Sequence, residues 1–146
     1  MADSLATRLQ VPYLRLHQYL YLRTGGLVGH HMVGVPSLLL HTVGRRSGAP
    51  RVTALIYAVD GRDYVVVASN NGQDQPPGWL YNLRDRPEVE VQVGRRRLRG
   101  TGRVVEPGDD DYARRWQLVN ARNHGRYDRY QAKTTRPIPL VVITPA

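Results

Sequence analysis

The sequence predicts an α+β fold: a six-stranded antiparallel β-barrel with flanking helices, in one domain over residues 1–146. Short apolar and β-branched runs separated by turn residues dominate the chain from residue 37 onward, as in antiparallel sheets. These runs do not alternate with helical segments in the way that a parallel βαβ sheet requires. A length of 146 residues with 41% hydrophobic residues suits a single core.

The first predicted element is an amphipathic helix over about residues 9–23. Its apolar side is formed by Leu9, Tyr13, Leu16 and Leu20. An adjoining flank carries Arg8, Arg15 and Arg23, a pattern that is typical of helices lying at a membrane surface. Two interpretations stay open: the helix packs on the domain, or it makes peripheral contact with an anionic membrane.

Three consecutive strands are predicted next, over residues 37–43, 52–59 and 64–69. The first two flank a stretch rich in glycine, serine and proline, which indicates a hairpin with a long loop. Asp60-Gly61 is a strong turn signal between the second and third strands.

The second half of the chain continues the pattern. A short helix is predicted over residues 79–84, followed by strands over 88–93 and 96–105. Gly100 and Gly102 lie in the last of these strands, where they permit the bend that a closed barrel needs. A helix over residues 109–122 and a final strand over 139–144 complete the prediction.

Composition and charge narrow the classes of function. The net charge is +9, and nearly all of the basic residues are arginines because Lys133 is the only lysine. Nucleic acid, an anionic membrane or a polyanionic cofactor would each suit this charge. The chain has no cysteine, which excludes disulfides and thiolate metal sites, and its histidines show no metal-ligand spacing. No apolar run is long enough for a membrane span or a signal peptide, so we expect a cytoplasmic protein without a metal.

The segment from residue 44 to residue 51, hereafter the arginine loop, holds the residues best suited to an anion. It combines Arg45, Arg46 and Arg51 with Ser47 and two glycines. Guanidinium groups donate paired hydrogen bonds to phosphate and carboxylate oxygens, and glycines let backbone N–H groups approach an anion. The alternative is a solvated hairpin turn.

Two further segments could carry chemistry. Residues 68–72, hereafter the rim segment, follow a predicted strand, where the rim of a barrel can hold a ligand. Tyr127 and Tyr130 are three residues apart, so their hydroxyls could face one acceptor molecule. Turn formation and structural packing are the respective alternatives.

Several of these motifs together resemble the deazaflavin-dependent nitroreductase family, which includes F420H(2)-dependent quinone reductases. They are Thr42-Val43-Gly44-Arg45-Arg46-Ser47-Gly48 with Arg51, then Val65-Val66-Val67-Ala68-Ser69, then Trp79-Leu80-Tyr81-Asn82-Leu83, then Tyr127, Tyr130 and Arg136-x-Ile138-Pro139. The resemblance runs from about residue 21 to residue 145. It implies a split β-barrel like that of FMN-binding oxidases, and an enzyme that uses reduced coenzyme F420 as the hydride donor.

The resemblance also implies roles for individual residues. Arg45, Arg46, Ser47 and Arg51 would bind the phosphate and acidic tail of the coenzyme. The deazaflavin ring would be lined by Val52, Thr53, Ala54, Val67, Ala68, Ser69, Asn70, Gly78, Trp79, Leu80, Tyr81 and Asn82. Tyr127 would close over the ring, and Ser69 and Tyr130 would stabilise charge on the acceptor oxygen. Ser69, Tyr127 and Tyr130 are therefore the candidate catalytic residues.

Other points stay open at this stage. The acceptor is expected to be a quinone or another small electrophile. Whether nitroaromatic compounds are among the acceptors stays open, because Asn70-Asn71 and His124 depart from the pattern of nitroimidazole-reducing relatives. An FMN-binding split-barrel oxidoreductase and, less favoured, a basic nucleic-acid-binding module are the alternatives. The basic run over residues 95–99 is the main support for the latter, which lacks a recognised motif. The protein could be a monomer or a homodimer.

Overall fold

A computed structural model describes residues 31–32 and 35–146. The predicted helix over residues 9–23 lies outside the described residues, so one domain over 1–146 stays a prediction. The strands are β1 (His31–Met32), β2 (Val35–Val43), β3 (Pro50–Ile56), β4 (Ala58–Asp60), β5 (Asp63–Val67), β6 (Glu88–Val93), β7 (Arg96–Val105) and β8 (Leu140–Pro145). The helices are a 3₁₀ turn (Asn70–Gly72), α1 (Gly78–Asp85), α2 (Tyr112–Arg122) and α3 (Arg126–Gln131).

All strand pairs in the described part of the chain are antiparallel, and they form one curled sheet in the order β1-β2-β6-β7-β8-β5-β4, with β3 also paired to β2. This confirms the predicted antiparallel α+β architecture with flanking helices. The count of six strands is wrong: residues 35–146 alone form seven strands, besides the two-residue β1.

The extra strand arises where the predicted strand over residues 52–59 breaks at Tyr57. The portion before Tyr57 pairs with β2, and the portion after it pairs with β5. Tyr57 lies at this break: its N–H still donates to the Pro36 carbonyl at 3.4 Å, and its ring is buried in the core, in an edge-on contact with Tyr64 at 5.6 Å between centroids. At this corner the chain passes from pairing with β2 to pairing with β5, which is far from β2 in the strand order of the sheet. A pattern of apolar residues does not reveal such a corner.

The two faces of the sheet have separate apolar clusters because successive side chains of a strand point to opposite sides. Val66 of β5 and Ala68, just after this strand, belong to the inner cluster, which α1 covers with Trp79, Leu80 and Leu83. The outer cluster lies beneath α2 and α3 and contains Val65, Val67, Val119, Tyr127 and Ile138.

The glycine at position 102 allows α1 to approach the sheet closely. A Cβ atom at Gly102 would lie only 2.5 Å from Leu83 Cδ1. In β6, Val89, Val91 and Val93 alternate with Glu88, Glu90 and Gln92, which predicts one buried face and one wet face. This is only partly correct, since Gln92 is 2% exposed.

The pairing places every candidate functional segment at one end of the sheet, hereafter the site end. The last residues of β2, β5 and β7 lie beside the first residues of β3, β6 and β8. The arginine loop, the rim segment, α1 and the α2–α3 pair all connect strands at this end. The short turns at residues 61–62 and 94–95 lie at the opposite end.

Candidate functional site

The arginine loop is held in a compact shape by its own backbone. The Gly44 N–H donates to the Ala49 carbonyl and the Gly48 N–H donates to the Gly44 carbonyl, each at 2.8 Å. Ser47 Oγ accepts a hydrogen bond from the Ala49 N–H at 3.1 Å. Gly44 is buried, and a Cβ atom there would lie 2.6 Å from Ser47 Oγ, so a larger residue would displace this hydroxyl from the Ala49 N–H.

The arginines of this loop are available to bind an anion. Arg45, Arg46 and Arg51 are exposed, and among the described residues none of them forms a salt bridge. The Arg45 guanidinium lies over the Tyr81 ring at 4.4 Å from its centroid, which orients it without neutralising its charge. The predicted anion-binding residues therefore lie together, with donors that suit a phosphate or a carboxylate tail.

Helix α1 joins this loop to the core through Asn82. The Asn82 Oδ1 atom accepts from the Arg45 backbone N–H at 3.1 Å, and its Nδ2 atom donates to Thr42 Oγ1 at 3.4 Å. Trp79 and Leu80 are buried in the inner cluster. Gly78 is exposed, with open space around its α-carbon. Helix α1, predicted to line the ring, therefore packs at the site end, but its Trp79 and Leu80 side chains are buried against the core.

The strand residues predicted to line a ring fall on two faces. Thr53 is paired with Leu40, whose side chain belongs to the inner cluster, so it shares that side of the sheet. Val52 and Ala54 point to the opposite side, and Val67 packs in the outer cluster. These three residues can offer only backbone atoms to a ligand on the inner side.

The rim segment has an unusual backbone. Asn70, Asn71 and Gly72 adopt positive φ angles of 46°, 56° and 77° in succession. Asparagine tolerates this region better than other residues with a side chain, but such strain persists only where surrounding structure enforces it, often at functional sites. Ala68 is buried and Ser69 is 8% exposed beside this turn.

The two candidate tyrosines of α3 occupy different environments. Tyr127 is 5% exposed in the outer cluster, beside Trp116 and Tyr130 at 6.2 and 6.1 Å between ring centroids. Burial raises the pKa of the Tyr127 phenol, so this group stays protonated at neutral pH. Tyr130 is half-buried and therefore more accessible to an acceptor molecule.

The structure adds Arg136, to which the sequence assigned no individual role. Its guanidinium donates to the carbonyls of Ser69 and Gln73 at 2.8 Å, and to that of Ala68 at 3.3 Å. The sequence signals were its place in the Arg136-x-Ile138-Pro139 stretch of the resemblance and the lack of a neighbouring acid in the connection before the last strand.

The described part of the chain contains neither a metal-binding cluster nor a helix that could span a membrane. No group of three or more histidine, aspartate or glutamate side chains there could hold a metal ion. No helix among those residues is both long and apolar enough to cross a membrane.

Comparison with known proteins places the chain in a family. The family model of F420H(2)-dependent quinone reductases matches residues 13–145. An F420H(2)-dependent quinone reductase of Mycobacterium tuberculosis is 50% identical over 135 residues, which cover 92% of this chain and 91% of the relative.

Solved structures agree with the sequence match. An F420-H2 dependent reductase superposes with a TM-score of 0.66 at 32% identity, over 74% of this chain and 93% of that one. A chain described as a domain-swapped dimer superposes with a TM-score of 0.69 at 30% identity, over 92% of this chain and 98% of that one. The predicted resemblance is thereby confirmed: this chain belongs to the F420H(2)-dependent quinone reductase family.

Proposed function

We propose that this chain is an oxidoreductase that binds coenzyme F420 at the site end and transfers a hydride from the reduced coenzyme to a quinone. The observation that carries the proposal is the 50% identity, over 92% of the chain, to a relative named as an F420H(2)-dependent quinone reductase. The geometry supports it, because the site end of the sheet carries the arginine loop, the rim segment, α1 and α3.

The residues of the chain bind and orient the reactants. Arg45, Arg46 and Arg51 would hold the phosphate and the acidic tail through charge-assisted hydrogen bonds. The surface between α1 and the rim segment would hold the ring. The bound reduced coenzyme supplies the hydride, so the protein needs no catalytic triad or metal.

Hydroxyl groups would stabilise the charge that develops on the acceptor. Ser69 belongs to the rim segment and Tyr130 to α3, and these two elements are in contact. Each hydroxyl can donate a hydrogen bond to a quinone oxygen. Tyr127 stays a candidate for closing over the ring, although its ring packs in the outer cluster and its hydroxyl has Asn123 as a hydrogen-bond partner. Nitroaromatic compounds are a further class of acceptor to be tested.

A titration separates this proposal from the alternatives. Purified protein is titrated with F420 and, in parallel, with FMN, and the absorbance of reduced F420 is then followed after menadione is added. Binding of F420 with loss of absorbance is the expected result. Binding of FMN alone would support the FMN alternative, and DNA affinity that falls steeply with salt, without either cofactor, would support a nucleic-acid-binding module.

The oligomeric state is also a proposal. The relative at 30% identity that is described as a domain-swapped dimer favours a homodimer over a monomer for this chain. Light scattering coupled to size-exclusion chromatography measures the mass directly, and a mass of 16.5 kDa at all concentrations would show a monomer.

Peripheral membrane contact through residues 9–23 remains a proposal from the sequence alone. Neutralising Arg8, Arg15 and Arg23 should reduce co-sedimentation with anionic vesicles, since each basic residue near such a surface contributes to binding. Failure of the unmodified protein to bind the vesicles would exclude this contact.

A further inference from the structure

Arg136 makes its hydrogen bonds in an unusual way for a half-buried cation. Within residues 35–146, the acceptors of its guanidinium are all backbone carbonyls, those of Ala68, Ser69 and Gln73. In the described part of the chain it forms no salt bridge with a carboxylate. Burial lowers its pKa from the ordinary value, which is the cost of holding a charge there. Asn70, Asn71 and Gly72, with their positive φ angles, form a left-handed turn. The carbonyls of Ala68 and Ser69 precede this turn, and that of Gln73 follows it.

Those carbonyls also set the hydrogen bonds inside the turn. The Gly72 N–H donates to the Ser69 carbonyl at 2.9 Å, so this oxygen is shared between the turn and Arg136. The Gln73 N–H donates to the Asn70 carbonyl at 3.1 Å. A planar guanidinium with several donors can hold carbonyls in fixed relative positions, whereas a single ammonium is not shaped to do so.

The rim segment and the residues just after it are also held against α3 and the connection that follows α3. The position of a Cβ atom on Gly72 would be 2.5 Å from the Tyr130 carbonyl oxygen, which shows how closely the turn approaches the helix. Thr134 Oγ1 donates to Asp74 Oδ1 at 2.8 Å. Gln131 donates through Nε2 to the Arg136 carbonyl at 2.8 Å and thereby links α3 to the arginine itself.

We propose that Arg136 is a positioning residue for hydride transfer: its guanidinium fixes the strained turn against α3, so that the Ser69 and Tyr130 hydroxyls keep one relative position. This inference rests on the proposed function for its role in the reaction. The positioning itself is a property of the protein without coenzyme. Small displacements of reacting groups reduce rates strongly, so a loosened turn should slow hydride transfer.

The first test uses Arg136→Lys, which keeps the charge and removes the fork of donors. Amide hydrogen exchange in the coenzyme-free protein should become about tenfold or more faster at Gly72 and Gln73, because local opening needs less free energy. The Gly102 amide, which donates to the Pro87 carbonyl at 2.8 Å in the sheet, should be unchanged. Single-turnover hydride transfer should fall by about 10- to 100-fold.

The matched control is Arg115→Lys. Arg115 is also a largely buried arginine, 11% exposed in its side chain, but it pairs with Asp60 at the opposite end of the sheet. This variant should lose global stability while leaving exchange at Gly72 and Gln73, and the rate of hydride transfer, unchanged.

A second variant, Arg136→Gly, covers the case in which lysine disturbs folding. Millimolar guanidinium ion should restore part of its hydride-transfer rate and slow the exchange at Gly72, because the free cation can occupy the vacated space. Methylammonium should restore neither.

Unaltered exchange at Gly72 and Gln73 in Arg136→Lys, or equal effects in Arg115→Lys, would overturn the inference. If the unmodified chain oxidises no reduced F420, the proposed function fails, but the exchange measurements still decide whether Arg136 positions the turn.

Discussion

Replacing Gly72 by alanine should separate the rim segment from α3. Gly72 has φ +77°, a conformation that costs a residue with a Cβ atom about 1–2 kcal/mol. The new methyl group would also lie 2.5 Å from the Tyr130 carbonyl oxygen and 2.9 Å from its Cα. These are backbone atoms, so they cannot move aside as the end of a side chain would.

The size of the effect follows from these two contributions. Inserting a methyl group into a closely packed contact costs about 1–3 kcal/mol. Added to the conformational cost, this gives a loss of about 2–5 kcal/mol in the free energy of unfolding. The turn could instead move away from α3, which would lessen the loss of stability but disturb Ser69.

Gly61→Ala is the matched control. Gly61 has φ +63°, and no atom lies within 4 Å of its added Cβ, so this variant bears the conformational cost alone. Urea unfolding of both variants measures the difference, and single-turnover kinetics should show slower hydride transfer only in Gly72→Ala. Equal stability and equal rates for the two variants would show that the contact with Tyr130 is not close in solution and would refute the reasoning.

Three further predictions concern single side chains. Arg51→Ala should weaken F420 binding at least tenfold, or about 1.4 kcal/mol, in a titration of the folded protein, whereas Arg62→Ala at the opposite end should not. Tyr130→Phe should lower kcat by about 10- to 100-fold with little change in coenzyme affinity; Tyr112→Phe, which loses a hydroxyl bonded to the Ile138 carbonyl at 2.6 Å, should affect stability only. Hydrogen bonds from Arg114 and Arg115 lower the pKa of Asp60 from 3.8 to about 2. The ionised Asp60 carboxylate therefore adds to the free energy of unfolding above about pH 4, and this stabilisation is lost as pH falls toward 2. In Asp60→Asn, the free energy of unfolding should lack this loss between about pH 4 and about pH 2.

Each of these has a result that would contradict it. Unchanged affinity in Arg51→Ala would remove Arg51 from the coenzyme site. An unaltered rate in Tyr130→Phe would make Tyr130 a structural residue, and a change in KM alone would limit its hydroxyl to holding the acceptor. The same acid profile in Asp60→Asn and the unmodified protein would show that the two arginines do not stabilise the folded state through this carboxylate.

Much of the fold was predictable because its signals are local. The strand over residues 96–105 and the short helix near Trp79 depend on alternation, turn residues and helix termini, and both were found close to their predicted bounds. The break at Tyr57 was not predictable, since β-propensity continues through it and the change of pairing partner from β2 to β5 depends on contacts far apart in the chain. Gln92 was misplaced for a related reason: alternation assigns a polar residue to water, but burial depends on what covers the strand.

The sequence by itself determined the family, the basic arginine loop and the positions of most strands along the chain, because these depend on the identity and spacing of neighbouring residues. Only the tertiary structure decided which residues meet. Antiparallel pairing brings the arginine loop to the same end as the rim segment, and the backbone carbonyls of Ala68, Ser69 and Gln73 become the acceptors of Arg136. Such contacts join backbone atoms far apart in the chain, and backbone atoms are the same in every residue, so no local pattern of side chains could have specified them.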